Sequence, residues 1–194
     1  MLMTVLMQTI QQEAGLPPER DVLERLLSGV AAGNRDCLAQ LYHRTRGAVY
    51  GLALSYLKNA HTAQDVPQDA FVKIWEAAPS YIAQGSPMAW IMTITRNLAL
   101  MELRRGKKNV ELGEDEWNAI PAEAPSVTPE DRQILQQALA AISDEERKIV
   151  LLHAVSGLKH REIAGVLELP LSTVLSKYHR ALKKMRTQLE GDGT

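Results

Sequence analysis

Cysteine is nearly missing from this chain: Cys37 is the only one in 194 residues. No intrachain disulfide can form, and a cysteine-rich metal site is excluded. Aromatics are scarce as well, with a single Phe, and β-branched runs are few. Leu and Ala dominate the apolar set, a composition that favours helices. No apolar run approaches the roughly 20 residues that span a bilayer. Met1 to Ile10 is apolar but holds no Lys or Arg, so it lacks the charged start of a secretion signal. The expectation is a soluble protein in a reducing, cytoplasmic setting, with no membrane insertion.

Charge of one sign is also lacking overall, the net being −1. Its distribution is informative. Residues 20–108 hold 12 Lys+Arg against 7 Asp+Glu, and residues 132–190 hold 10 against 6. Between them, residues 109–131 carry 7 acids and no base. Two basic blocks flanking an acidic strip suit nucleic acid. Each excess is modest, so binding of DNA alone is expected to be weak, because affinity rises with the number of phosphates neutralised.

Periodicity is helical throughout, giving an all-α fold class of two small bundles. Val22 to Val30 reads as a helix ended by Gly33-Asn34. A longer one runs from Asp36 to Leu57, with Leu38, Leu41, Tyr42, Val49, Leu52, Ala53 and Tyr56 as its buried stripe. Asn59 to Thr62 reads as a turn, with Thr62 as N-cap of a helix reaching Ala78. Pro67 inside that segment is cheap only within the first turn. Pro79 to Pro87 is a loop, and a further helix spans Met88 to Arg105. An aperiodic stretch rich in acids and proline follows. Thr128-Pro129-Glu130-Asp131 has the form of a helix start, running to Ile142, and Ser143 to Glu146 caps another helix. The chain closes with a short amphipathic helix (Ile163, Val166, Leu167), a break at Pro170, and a basic helix from Leu171 towards Leu189. A short helix bracing a longer one with hydroxyls and cations at its start is the pattern that enters a major groove.

Two segments together carry a family resemblance. Asp65-Val66-Pro67-Gln68-Asp69-Ala70-Phe71-Val72-Lys73-Ile74-Trp75, with Ala89-Trp90-Ile91, Arg96-Asn97-Leu98-Ala99 and Leu103-Arg104-Arg105, resembles region 2 of bacterial sigma factors. Ile142 to Arg147, through Arg180-Ala181, resembles region 4. With those two regions alone, the chain is similar to the extracytoplasmic-function group of the sigma-70 family. The resemblance implies a region 2 module (21–108), an acidic linker (109–128) and a region 4 helix–turn–helix module (129–190), and it leaves residues 1–20 outside as an N-terminal extension. It implies an initiation factor and not an enzyme, needing no cofactor. Its partners would be core RNA polymerase (the β′ clamp helices and β flap), promoter DNA and an anti-sigma protein, which can hold it at a membrane indirectly.

Residue roles follow from the same resemblance. Asp65, Gln68, Asp69 and Lys73, at steps of three and four on one helix face, would dock on polymerase with Trp75 at the edge. Phe71 and Ile74 are read as core. Tyr81, Gln84 and Ser86 would serve −10 base capture. Arg96, Asn97, Arg104, Arg105, Lys107 and Lys108 would contact −10 DNA. Ser172, Thr173, Ser176, Lys177 and Arg180 would face the −35 element, with Thr173, Ser176 and Lys177 reading bases and Arg180 positional. His153, His160 and His179 share no metal-ligand spacing and read as ordinary polar residues. The family pattern is broken at Pro67, at Met101 in place of a frequent Asp, at Glu168 in a turn often held by Gly, and at Leu175 in place of a common Lys. Two rival readings remain at this stage: a dimeric operator-binding regulator, and a helical adaptor whose basic ends are only solvated.

Overall fold

The computed structural model describes residues 20–83, 85–106 and 137–191. The N-terminal extension before Arg20, Gln84, Lys107, Lys108 and the acidic linker lie outside the described residues. The first module contains α1 (Arg20–Ala31), α2 (Arg35–Leu57), α3 (Ala60–Ala77), a 3-10 turn (Ala78–Ser80) and α4 (Pro87–Gly106). The second contains α5 (Asp144–Ala154), α6 (His160–Leu167) and α7 (Leu171–Gly191). Of the helix expected from Thr128 to Ile142, residues 137–140 are described, and they are helical.

Local chemistry explains the starts. The Asn34 side chain accepts the backbone N–H groups of Asp36 (2.8 Å) and Cys37 (3.1 Å), starting α2 one residue earlier than its periodicity suggests. The cap of α3 is Asn59 and not Thr62. Its carboxamide oxygen accepts the Thr62 N–H at 2.9 Å, so the expected turn is already the first turn of the helix. Pro67 consequently falls at the eighth helical position and is buried. It can donate nothing to the carbonyl of Ala63, a defect worth about 3 kcal/mol in a helix interior. At α5, Ser143 and Glu146 form a reciprocal capping box.

Core residues come from every helix. Leu23, Leu27, Leu41, Leu52, Ile74, Ile91 and Met92 fill the first module, and Ile149, Leu152, Leu158 and Ile163 the second. Each such side chain contributes about 1.5–3 kcal/mol by leaving water. Gly29 lets α1 and α2 close up, since a Cβ there would collide with the Cys37 Sγ. The second half of α2 exceeds its expected stripe: Ala48, Val49, Tyr50, Leu52, Ala53, Leu54 and Ser55 are all buried. A helix hydrophobic nearly all round is covered on all sides. Here the additional cover is the second module, because α5 packs on α2 and α6 on α4. One continuous apolar cluster runs through both modules.

Candidate nucleic-acid interface

In the first module, α3 presents Asp65, Gln68, Asp69, Lys73 and Glu76 to solvent. Phe71 (6% exposed) and Ile74 (0%) point inward, and Trp75 is half-buried against the core. Val72, 56% exposed, sits in the middle of the polar face. Nothing in the sequence distinguished it from the core aliphatics beside it. Lys73 pairs with Glu76 at 2.7 Å.

The loop before α4 is pinned rather than free. Arg20 donates to the Gly85 carbonyl at 2.9 Å and to Glu24 at 3.0 Å. Tyr81 packs its ring 5.0 Å from that of Trp90, and its hydroxyl is buried without a protein partner. Burial, and then the Glu24 carboxylate, push its phenol above the ordinary value, with Arg20 opposing. Ser86 accepts the Ala89 N–H at 3.4 Å and so helps to start α4. Ile82 in this loop is a large apolar side chain that is 68% exposed.

Along α4, Asn97, Met101, Arg104 and Arg105 share one exposed face, since steps of three and four stay on one side. Met101, the departure noted above, therefore interrupts a polar strip. Arg105 pairs with Glu102 at 2.7 Å. Arg96 is placed differently. Its side chain is 13% exposed, and its guanidinium donates to Glu168 of the second module at 2.8 Å.

In the second module the turn between α6 and α7 closes on Glu168 in the left-handed region, φ 56°. The Leu169 N–H returns to the Ala164 carbonyl at 3.0 Å, a Schellman-type stop. A non-glycine residue there costs about 1–2 kcal/mol. The turn keeps the geometry natural to glycine despite carrying Glu. Behind α7, Val174, Tyr178, Ala181 and Met185 are buried. The outward ridge carries Ser172, Leu175, Ser176, His179, Arg180 and Lys183. Thr173 and Lys177 lie on its flank, half-buried, and the Lys177 ammonium is paired with Glu145 of α5. Leu175 and His179 thus stand where the sequence placed Thr173 and Lys177. Helical phase alone could have found them, had the buried stripe been used to define the opposite face.

Two of the three histidines, His153 and His160, come together in space, although their spacing did not announce it, while His179 stays on the outward ridge. His153 and His160 stack with centroids 4.7 Å apart, both edge-on to Tyr178. His153 Nδ1 lies 2.9 Å from the Leu158 carbonyl, and His160 Nε2 is buried without a partner. Among the described residues no group of three or more His, Cys, Asp or Glu is arranged to hold a metal. Glu146, 3% exposed, is disfavoured as an anion by burial. Lys184 at 2.8 Å and the Ser143 N–H at 2.9 Å outweigh this and hold its carboxyl below the usual range. Among the described residues no helix is long and apolar enough to cross a membrane.

Comparison with known proteins matches these two modules in order. The Sigma-70 region 2 family covers residues 41–109, and the Sigma-70, region 4 family covers residues 132–185. The ECF RNA polymerase sigma factor SigK of Mycobacterium ulcerans (strain Agy99) is 30% identical, over 91% of this chain and 98% of its own length. SigK of Mycobacterium tuberculosis (strain ATCC 25177 / H37Ra) is 27% identical, with the same coverage. Among solved structures, CnrH in complex with the cytosolic domain of CnrY superposes with a TM-score of 0.61 at 24% identity. That match covers 89% of this chain and 99% of the CnrH chain.

Proposed function

Because the chain belongs to the extracytoplasmic-function group of the sigma-70 family, we propose that it binds core RNA polymerase and directs it to promoters with −10 and −35 elements. The polymerase supplies the catalysis, so the chain is not itself an enzyme and requires no cofactor. The working boundaries are 1–20 for the extension, 21–108 for the region 2 module, 109–128 for the tether and 129–190 for the region 4 module. The observation that carries this reading is the pairing of two exposed faces on one small chain. An acidic helix face lies on α3, and a hydroxyl-lined, basic ridge lies on the second helix of a helix–turn–helix.

The α3 face around Asp65, Gln68, Asp69, Val72 and Lys73 is assigned to the β′ clamp helices, with the second module on the β flap. Asn97, Arg104 and Arg105 are assigned to −10 DNA, together with the loop of Tyr81 and Ser86. Gln84, Lys107 and Lys108 complete that group by position in the sequence. Ser172, Ser176 and Arg180 are assigned to the −35 element, Thr173 and Lys177 bordering them. An anti-sigma protein controls the factor, which works in the cytoplasm and reaches a membrane only through such a partner. In vitro transcription with core polymerase on genomic fragments, followed by start-site mapping, tests the reading. Discrete starts that share two upstream motifs are expected. Tight operator binding by a dimer of this chain, with no effect on polymerase, would replace the reading with a conventional regulator.

A further inference from the structure

The outward ridge of α7 carries an apolar row to which no role has yet been given. Among the described residues, the large apolar side chains left exposed are Val72, Ile82, Met101, Leu171 and Leu175. Leu171 (39% exposed) and Leu175 (37%) stand about one turn apart on α7, so they share a side of it. Val174, Tyr178 and Ala181 of the same helix are buried on its other side. A single exposed leucine is ordinary, whereas two in line on one ridge form a patch. Beside them Ser172 and Ser176 make a second exposed row. The Ser176 hydroxyl donates to the Thr173 carbonyl at 3.0 Å, so it turns lone pairs outward. Free positive charge is displaced from these first two turns. Lys177 is half-buried and paired with Glu145, and the exposed cations of the ridge, Arg180 and Lys183, come later.

We propose that Leu175 is a specificity residue of this helix, reading thymine in the −35 element by covering its C5-methyl group. This role rests on the functional reading given above and sharpens it at one base pair. Leu175 lies in the second turn of α7, within the end of a recognition helix that approaches base edges. Its side chain has no hydrogen-bonding atom. Against guanine or cytosine it would cover O6, N7 or the N4 amine and leave that group without a partner, which is costly. Against thymine it meets a methyl group, and the contact takes apolar surface of both out of water. A lysine or arginine at this position would favour guanine through O6 and N7. Leucine therefore changes which base is preferred, and not only how tightly the duplex is held. Ser176, an acceptor towards the groove, suits an adjoining adenine N6 or cytosine N4 amine. A duplex fits this ridge better than a protein does, because Arg180 and Lys183 continue it with positive charge that matches phosphates.

The test uses holoenzyme assembled from the full chain and core polymerase, on a promoter whose −35 element has been mapped. Each thymine of the element, on either strand, is replaced singly by deoxyuridine, which keeps the hydrogen bonds and lacks only the methyl. At one position, loss of the methyl is expected to weaken binding about fourfold, the equivalent of about 0.8 kcal/mol for one buried carbon. Leu175→Ala is expected to make thymine and deoxyuridine equivalent there, at unchanged helix content and salt slope. Leu175→Lys is expected to move the preferred base at that pair towards guanine and to steepen the salt slope. An element without thymine, a scan with no sensitive position, or a sensitivity that persists in Leu175→Ala would overturn the role of Leu175 and leave the promoter reading intact. Weaker capture of core polymerase by Leu175→Ala in the absence of DNA would also overturn it, by making the ridge a protein contact. Binding indifferent to every change in the −35 element would remove the promoter reading itself, and the role of Leu175 with it.

Discussion

Lys177 and Arg180 lie three residues apart on α7, yet their surroundings differ. The Lys177 ammonium is already paired with Glu145, whereas Arg180 is exposed on the outer ridge. A cation that must first leave a carboxylate contributes less to phosphate binding. Arg180→Ala should therefore weaken holoenzyme binding to −35 duplexes of any sequence and lower the salt slope by about 1. Lys177→Ala should do less, and a larger loss for Lys177 in the same titration would contradict the placement of the ridge. His160 makes a second residue-scale prediction. Burial, then His153 and His179, hold its imidazole below the ordinary 6.5. His153 stacks on it from α5 and Tyr178 meets it edge-on from α7, and His179 of the same helix acts on it electrostatically. Below pH 6.5 the unfolded chain takes up the proton more readily than the folded one. Stability from this group is thus complete above about 6.5 and falls as pH drops through the folded value. Thermal melts at a series of pH values should show the decline, and His160→Phe, which keeps a ring but no titrating nitrogen, should flatten it.

At the scale of elements, α3 holds both an evident defect and a candidate interface. Pro67→Ala restores a donor for Ala63. The roughly 3 kcal/mol recovered is reduced by lost burial and by a freer unfolded chain, about 0.4–1 kcal/mol for the latter. A net gain of about 1 kcal/mol is expected in urea unfolding, and a loss would mean that proline packing outweighs the hydrogen bond. Asp69→Lys should lower affinity for core polymerase in a pull-down while leaving circular dichroism unchanged, because Asp69 is exposed and has no structural task evident in the fold. Unchanged capture would remove α3 from the polymerase contact. The helices themselves were legible: apolar spacing, Ser143 with Glu146, and Pro170 mark their limits. Thr62 was not the cap because Asn59, three residues earlier, accepts the N–H of Thr62 itself and starts the helix there, and spacing alone does not rank the two. The readable part of the site was its polar faces. Val72 and Met101 were hidden, since an apolar residue on a helix looks like core until the packing is known.

For the whole molecule, the burial of α2 makes the point that local pattern could not. Tyr50, Leu54 and Ser55 lie beside its expected stripe and are buried in a helix that packs on α1, α3 and α4 and, from the second module, on α5. Contacts between residues 72 positions apart, such as Arg96 with Glu168, leave no periodic trace. Glu168 was visible as a departure from glycine, but its pairing with Arg96 became apparent only with the two modules packed together. A chain of net charge −1 with two locally basic modules should hold DNA poorly alone and well on polymerase. Footprinting of one mapped promoter by the chain, with and without core polymerase, tests this most directly. Protection of both upstream elements is expected only when the polymerase is present, and an equal footprint from the isolated chain would contradict it.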